Sequence, residues 1–237
     1  MKYMGSKARI AKHLLPIILA DKKPDQFYVE PFAGGMNMIC KVAGKRTACD
    51  SNYYLVEMWK AIMNDWQPPY FVSKELYEIV RNDRDKIAPW MVGWVGFNCS
   101  YSGKWFGGYA GVVKTKIGTM RNYQEEALKN TLKQKDSLQG VELVCCDYKE
   151  LVIPGKSIVY CDPPYAGTTG YKDKFDSDAF WSWTSQLAKD GHSVFVSEYA
   201  APSSVEQVWE GSVKSSLSAN GRHGESKNSV ERLFRVR

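Results

Sequence analysis

A tetrapeptide at residues 162–165, Asp-Pro-Pro-Tyr, carries the clearest chemical signal in this sequence. It follows the apolar run 157–161, which predicts a buried parallel strand. Ligands of open α/β sheets bind at the carboxyl ends of such strands. Two successive prolines remove two backbone donors and fix φ near about −65°, so the carbonyls beside the carboxylate have little freedom. The tetrapeptide therefore predicts rigid acceptors and an aromatic ring at a ligand-binding edge.

Methylation of an exocyclic amine on a nucleobase requires such a set of groups. Adenine N6 is a poor nucleophile because its lone pair is delocalised into the ring. The Asp162 carboxylate and the Pro163 carbonyl can each accept one N6–H, and preorganised acceptors of this kind supply much of a rate enhancement. Tyr165 offers a face for a base that has left the duplex stack. We therefore predict that Asp162, Pro163 and Tyr165 are catalytic, although an ordinary strand-ending turn explains the same four residues equally well.

A second set of residues resembles the first unit of a Rossmann-like fold. Residues 26–30 predict a strand, a glycine turn follows at 31–35, and a helical stretch runs from 36 to about 42. The two glycines of the turn allow the backbone to pass close to a ligand. Residues 46–50 predict another strand, which ends in Asp50, and an acid at this place accepts hydrogen bonds from ribose hydroxyls. The alternative is that Asp50 caps the next helix.

Together these residues resemble the Dam-type DNA adenine N6-methyltransferases, the D12 class of alpha-ordered amino-methyltransferases. The resemblance covers most of the chain, and the short motifs occur in the order of the family. They are 2–7 (the N-terminal cofactor motif), 30–35 (Phe-x-Gly-x-Gly), Asp50, 146–148 (Cys-Asp-Tyr), the tetrapeptide 162–165, and the strand motifs 194–198 and 230–234. Two positions depart from the family pattern. Tyr3 stands where Trp is usual, and Met36 stands at the last glycine of the Phe-x-Gly-x-Gly motif.

The resemblance implies S-adenosylmethionine (SAM) as the cofactor and double-stranded DNA as the partner. The cofactor-binding residues that it implies, together with those suggested by the strand ends, are Tyr3, Lys7, Glu30, Phe32, Gly34, Asp50, Asp147 and Asp162. In the family, an Asn and a Gly-Lys hairpin of the target-recognition domain lie close to the DNA, and Asn98 and Lys104 match this pattern loosely. The predicted DNA-binding residues are Lys2, Asn98, Lys104, Lys114 and Arg121. For Asp147, a plain turn residue is the alternative.

The segment 66–140 interrupts the α/β alternation and predicts an inserted, mostly helical target-recognition subdomain with a hairpin. Residues 1–65 and 141–237 then form the catalytic, cofactor-binding domain. Glycines alternate with aromatic residues over 93–109, and the stretch between Tyr101 and Arg121 is basic with no acidic residue. A basic, flexible hairpin with exposed rings suits a DNA groove or a displaced base. A glycine-rich loop whose rings fold back on the core is the alternative.

The remaining pattern predicts an α/β fold, a Rossmann-like SAM-dependent methyltransferase sheet of about seven strands that closes with an antiparallel hairpin. The helices are expected at 7–20 (capped by Ser6 and kinked by Pro16), 52–66, 73–82, 119–139 and 180–189. The further strands are expected at 141–145, 193–197, 213–217 and 230–236. Two loops have candidate roles: 166–171 as a lid over the flipped base, and 220–227 as a phosphate contact or a solvated loop.

Composition is consistent with this interpretation. The 237 residues suffice for one medium domain with an insertion, and the net charge of +6 favours a polyanionic partner, although many enzymes with neutral substrates are equally basic. The six cysteines and three histidines show no zinc-binding spacing, so no metal is expected. No apolar run approaches the roughly 20 residues of a membrane span. We expect a protein of the cytoplasm of a prokaryotic or phage-infected cell, monomeric when acting and possibly dimeric on DNA.

The sequence thus predicts a site-specific methyltransferase that transfers a methyl group from SAM to adenine N6 in double-stranded DNA, as in restriction-modification. Cytosine N4 of DNA and adenine N6 of RNA have similar exocyclic amines and remain alternatives. A protein side-chain amine is disfavoured because Asn in place of Asp162 would suit a glutamine substrate. A dinucleotide oxidoreductase is disfavoured because the complete G-x-G-x-x-G is missing. A non-catalytic DNA-binding module leaves Asp162 unexplained.

Overall fold

The computed structural model describes residues 1–115, 117–164, 175–214 and 228–237. Within these residues, a seven-stranded sheet has the order β5-β2-β1-β6-β7-β9-β8, and a separate two-stranded hairpin is formed by β3 and β4. The strands are β1 (Tyr28–Glu30), β2 (Arg46–Cys49), β3 (Val112–Lys114), β4 (Met120–Asn122), β5 (Val141–Val144), β6 (Ile158–Cys161), β7 (Ser193–Glu198), β8 (Glu206–Lys214) and β9 (Asn228–Val236). The predicted fold class is confirmed.

Helices surround the sheet and fill the segment between β2 and β5. They are α1 (Ala11–Ile18), α2 (Tyr53–Met63), α3 (Lys74–Asn82), α4 (Pro89–Gly93), α5 (Tyr123–Lys135) and α6 (Ser177–Lys189). Short 3₁₀ turns include Lys7–Arg9, Ile39–Lys41 and Asp136–Leu138, and a π-helical turn, Trp94–Asn98, continues α4. Polar side chains cap several of these helices: Asn52 accepts from the Leu55 amide at 3.0 Å, and Ser73 accepts from the Leu76 amide at 3.1 Å.

The direction of the strands decides where a ligand can bind. The strands β5, β2, β1, β6 and β7 are parallel, and β9 runs antiparallel between β7 and β8. β1, β2 and β6 are buried along their whole length, as expected for parallel strands that are covered on both faces. The chain order reverses at β1, which pairs with β2 on one side and β6 on the other. The carboxyl edge at this reversal is where open α/β sheets hold their ligands.

Three predicted helices differ from the observed ones. The helix expected at 36–42 is only the 3₁₀ turn Ile39–Lys41, because Met36 has a φ of 54° and the chain is extended again at Val42. The helix expected at 7–20 is a 3₁₀ turn followed by α1, which contains Pro16 without ending there. The helix expected from 119 begins only at Tyr123, since Met120–Asn122 pairs with the other strand of the hairpin.

Two strand predictions have different outcomes. The strand expected at 230–236 is present within β9. The start of the strand expected at 213–217 is wrong, because β8 (Glu206–Lys214) begins seven residues earlier; residues 215–217 lie outside the described residues. A bulge between Gln207 and Trp209 shifts the register of β8 against β9 and so obscures the alternation of side chains in the sequence. The predicted loop 220–227 lies outside the described residues.

The glycine- and aromatic-rich stretch packs inward rather than outward. Trp94 and Phe97 are buried, and the ring of Trp105 lies against Gly96, where an added Cβ would approach Cζ3 to 2.3 Å. The expectation of exposed rings is therefore wrong for these residues, although Tyr101 remains exposed. The glycines leave the space that the neighbouring rings fill. The largest core cluster joins residues of this segment to residues of α1, α2 and the sheet.

Candidate functional site

Asp162 lies directly after β6 at the carboxyl edge, and a buried lysine binds it. Lys7 Nζ donates to Asp162 Oδ1 at 2.7 Å and to the carbonyl of Gly5 at 3.2 Å, and it lies 3.8 Å from Glu231 Oε2 on β9. The Lys7 side chain is only 6% exposed. Ser6 begins the short turn that carries Lys7 by accepting from the Ala8 amide at 3.2 Å.

The charge state of Lys7 follows from these contacts. Burial alone would lower the pKa of its ammonium, but the carboxylates of Asp162 and Glu231 outweigh burial and raise the pKa above the ordinary value of 10.5. Lys7 therefore stays charged at neutral pH. A buried cation between two acids keeps both acids in place.

Of the three residues that follow Asp162 in the tetrapeptide, the structure describes the two prolines. Pro163 is buried and Pro164 is half-buried at the end of β6. The predicted catalytic residue Tyr165 and the predicted lid 166–171 lie outside the described residues.

The glycine turn after β1 is tightly packed against the N-terminal segment. Gly34 has a φ of 48°, and a Cβ built there would lie 2.7 Å from Tyr3 Cε1. A Cβ on Gly35 would lie 2.6 Å from Tyr3 Cβ and 2.7 Å from Asn37 Nδ2. These positions need glycine because the Tyr3 side chain occupies the space. The Tyr3 ring also lies 5.5 Å from that of Phe97, so its position is fixed from both sides.

Met36, which departs from the family's glycine pattern, adopts the left-handed conformation that glycine favours. Its side chain is fully buried in the core. A non-glycine residue at such a φ costs about 1 kcal/mol or more, which the burial of the methionine side chain offsets.

Asp50 binds the glycine turn directly. Its Oδ2 accepts from the Gly34 amide at 2.9 Å, and its Oδ1 accepts from the Asn52 amide at 2.9 Å. Burial raises the pKa of this carboxyl, and the two amide donors oppose the shift. The cap of α2 is Asn52, so the alternative that Asp50 is the helix cap is wrong. A carboxylate oxygen can accept two hydrogen bonds, so Asp50 retains capacity for a ligand hydroxyl.

Three other residues predicted to bind the cofactor have other partners. Glu30 is 3% exposed and accepts from the Tyr28 hydroxyl at 2.8 Å, so its side chain does not face an open edge. Burial raises the pKa of Glu30 to about 8. Phe32 packs against the rings of Tyr148 and Phe180 at 5.0 and 5.7 Å. Asp147 is exposed and accepts from the Lys149 amide at 2.9 Å, as a turn aspartate does.

Two of the predicted DNA-binding residues share one acid. Glu126 Oε2 accepts from Lys2 Nζ at 2.7 Å, and its Oε1 accepts from Arg121 Nε at 2.7 Å. Both cations also lie over the Tyr123 ring, at 5.1 Å for Lys2 and 4.6 Å for Arg121. The hydrogen bonds from Arg121 and Lys2 lower the pKa of Glu126 to about 2. Lys2 and Arg121 thus belong to one ordered cluster beside β4.

The other three predicted DNA-binding residues separate into two groups. Lys104 and Lys114 are exposed. Asn98 is 4% exposed; its Oδ1 accepts from Thr131 Oγ1 at 3.4 Å, and its Nδ2 lies 3.3 Å from Met58 Sδ. The prediction that Asn98 contacts DNA is corrected here, because its amide is turned into the core and presents no surface to a duplex.

Two residues at the site were not predicted. Glu231 completes the ion pairs of Lys7, and its position on the strand motif 230–234 was the one sequence signal that could have identified it. Gln134 on α5 donates to the carbonyls of Gly35 and Met36, both at 2.9 Å. Nothing in the local pattern of α5 distinguishes Gln134 from the other polar residues of that helix.

Among the described residues, no group of three or more His, Cys, Asp and Glu side chains is arranged to hold a metal ion. In the same part of the chain, no helix has the length and apolar character needed to cross a membrane.

Comparison with known proteins places the chain in a class. A family model described as D12 class N6 adenine-specific DNA methyltransferase matches residues 3–206, and the chain belongs to this family. Among solved structures, one that resembles it is SMU.472, described as a methyltransferase and solved in complex with SAH, with 11% sequence identity and a TM-score of 0.38. The alignment covers 99% of this chain and 54% of that one, so the chain spans about half the length of that protein. No curated protein matches the sequence.

Proposed function

We propose that the protein transfers a methyl group from SAM to the N6 amine of adenine in double-stranded DNA. The observation that carries the proposal is Asp162 at the carboxyl end of β6, held by the buried Lys7 and followed by Pro163, in a chain of the D12 family. The Asp162 carboxylate and the Pro163 carbonyl are the acceptors for the two N6 hydrogens. Accepting both directs the nitrogen lone pair out of the ring plane.

The residues along the edge fit the chemistry of SAM. Asp50 after β2 offers acceptors for ribose hydroxyls, and the glycine turn and Tyr3 lie between Asp50 and the Asp162 edge. Asp162 and its lysine provide charged groups for the amino acid end of the cofactor. When bound, SAM supplies an electrophilic methyl group on a sulfonium. Asp147 is exposed at the end of the neighbouring strand, where its free lone pairs suit the amino group of the cofactor adenine.

The chain's own residues would act mainly by positioning. Lys7 binds one oxygen of the Asp162 carboxylate, so the carboxylate is oriented before the base arrives. Forming the N–C bond would break the S–CH3 bond of the sulfonium and leave a neutral thioether. The nitrogen, which becomes positive, would then lose one proton, and the Asp162 carboxylate that already accepts this hydrogen would stabilise the charge and pass the proton to solvent. Tyr165 is proposed as the stacking partner of the flipped base.

The segment 66–140 is proposed as the DNA-recognition part, with 1–65 and 141–237 as the catalytic part. Lys104 and Lys114 are exposed there, and the Lys2–Arg121–Glu126 cluster lies beside β4. Exposed cations of this kind bind phosphates without reading sequence.

Labelled SAM offered with duplex DNA, RNA and protein acceptors tests the proposal, followed by digestion to nucleosides. We expect label in N6-methyladenine of duplex DNA, and its loss in Asp162→Asn. The matched control is Asp190→Asn, because Asp190 is an exposed carboxylate at the end of α6 and its loss should leave transfer unchanged. Label in N4-methylcytosine, or only in RNA or protein, would refute the assigned substrate.

A further inference from the structure

The side-chain amide of Gln134 spans the space between helix α5 and the glycine turn. Gln134 is 8% exposed, and its Nε2 donates to Gly35 O and to Met36 O, both at 2.9 Å. Its Oε1 accepts from the backbone nitrogen of Met1. One buried side chain therefore satisfies two carbonyls of the turn and one donor of the N-terminal segment.

The turn needs such support because Met36 adopts a left-handed backbone angle that a residue with a side chain rarely adopts. Gly34 and Met36 both have left-handed backbone angles, with φ of 48° and 54°. Residues in this region persist when their surroundings hold them there. Asp50 binds the Gly34 amide at 2.9 Å, and Gln134 binds the two carbonyls that follow. We propose that Gln134 is a positioning residue for the cofactor: its amide holds the glycine turn in the shape that binds SAM.

The C-terminal end of helix α5, which carries Gln134, is anchored by hydrogen bonds to β2, so the position of Gln134 is fixed. Arg46 of β2 donates to Ser137 O at 2.8 Å and to Gln139 O at 2.6 Å, just beyond the helix. The same guanidinium lies 3.3 Å from Ile39 O, in the 3₁₀ turn that follows the glycine turn. The helix begins at Tyr123, immediately after β4 of the hairpin. Gln134 lies in the segment 66–140, which is proposed to recognise DNA. That segment therefore also holds the glycine turn that is proposed to bind the cofactor.

The inference rests on the proposed use of SAM, so its test separates the two ideas. The variant is Gln134→Met, which keeps the length of the side chain and removes the amide. The matched control is Gln124→Met: Gln124 is equally buried on the same helix and also makes two backbone hydrogen bonds, at 2.8 and 3.0 Å, but to Val72. Both variants lose the same groups from α5, and only one loses contact with the turn.

Two measurements are made on the wild type and both variants. In the cofactor-free protein, hydrogen exchange at the amides of Gly34 to Met36 should quicken at least tenfold in Gln134→Met and not in Gln124→Met. By titration calorimetry, Gln134→Met should bind SAM about tenfold more weakly, as expected when one or two neutral hydrogen bonds no longer hold the turn. The KM for SAM should rise by the same factor, with kcat at saturating SAM and the KM for DNA unchanged.

Other results would overturn the inference. Equal SAM affinity in the wild type and Gln134→Met would show that the amide does not shape the cofactor turn. Equal losses in both variants would assign the effect to the stability of α5 as a whole. A wild-type protein that binds no SAM would refute the proposed function itself, and this inference with it.

Discussion

Replacing the buried acid Glu30 by Gln should change how the stability of the protein depends on pH. Burial is the main cause that raises the pKa of Glu30 from its ordinary 4.5 to about 8, and the charge of Asp162 adds to it. The hydrogen bond from the Tyr28 hydroxyl opposes the shift. The folded protein therefore holds a proton on Glu30 at neutral pH that the unfolded chain releases.

The sign and size of the effect follow from this difference in pKa. Because the folded-state pKa is raised, the stabilising contribution is complete below about pH 4.5 and is lost as the pH rises to about 8. Each unit of pKa difference corresponds to about 1.4 kcal/mol. Between pH 5 and pH 7.5, the wild type should lose about 3 kcal/mol of unfolding free energy through this one group. Glu30→Gln has no proton to lose and avoids that part of the decline.

Urea denaturation of the wild type and Glu30→Gln at several values of pH from 5 to 8.5 measures the effect. The free energy of unfolding of the variant minus that of the wild type should rise by about 3 kcal/mol up to pH 7.5 and level off above pH 8. Any constant cost of the new amide shifts the whole difference curve without changing its slope. Glu142→Gln on the exposed surface of β5 is the matched control. A difference curve for Glu30→Gln that stays flat would refute the buried, protonated state of this carboxyl.

Three further substitutions test the interface, the ion pairs and the packing. Lys104→Ala should weaken duplex binding, and anisotropy titrations at several salt concentrations should show a slope of log Kd against log salt reduced by about one; an unchanged slope would remove Lys104 from the phosphates. Lys7→Met should cost about 3 kcal/mol of unfolding free energy, since the Asp162 carboxylate would lose the buried cation that binds it at 2.7 Å, and adding Asp162→Asn should recover part of that loss in urea titrations. Gly93→Ala should cost about 3 kcal/mol by the same measurement, because its Cβ would lie 2.1 Å from Tyr54 O; a loss under about 0.5 kcal/mol would contradict that contact.

Local sequence could predict the strands that end in acids. The run before Asp162 is short and apolar, as expected of a parallel strand that is buried on both faces. The run before Asp50, Arg-Thr-Ala-Cys, is mixed, and its place after the glycine turn and the acid that ends it indicate the strand. The number of strands and the antiparallel closing pair could be predicted as well, from the spacing of such runs and from the family resemblance. The glycine turn could also be placed, because left-handed backbone angles favour glycine.

Contacts between distant parts of the chain could not be predicted. Lys7 and Asp162 are 155 residues apart, and no periodicity relates them. Asn98 is polar and stands in a glycine-rich stretch, which suggested a surface, but Thr131 and Met58 enclose it. Glu30 lies at a strand end that suggests a ligand, yet Tyr28 on the same strand binds it. In each case the partner decides the environment, and sequence spacing does not reveal the partner.

The insertion of β9 between β7 and β8 has a consequence for how the protein is made. Glu231, which lies on β9 beside Lys7, is translated more than 200 residues after that lysine. While the ribosome still covers this strand, β7 lacks its antiparallel neighbour and Lys7 lacks one of its two acids. The nascent chain therefore completes the surroundings of Lys7 only after synthesis has passed Glu231, so this edge of the sheet cannot assemble fully while the first two hundred residues are being made.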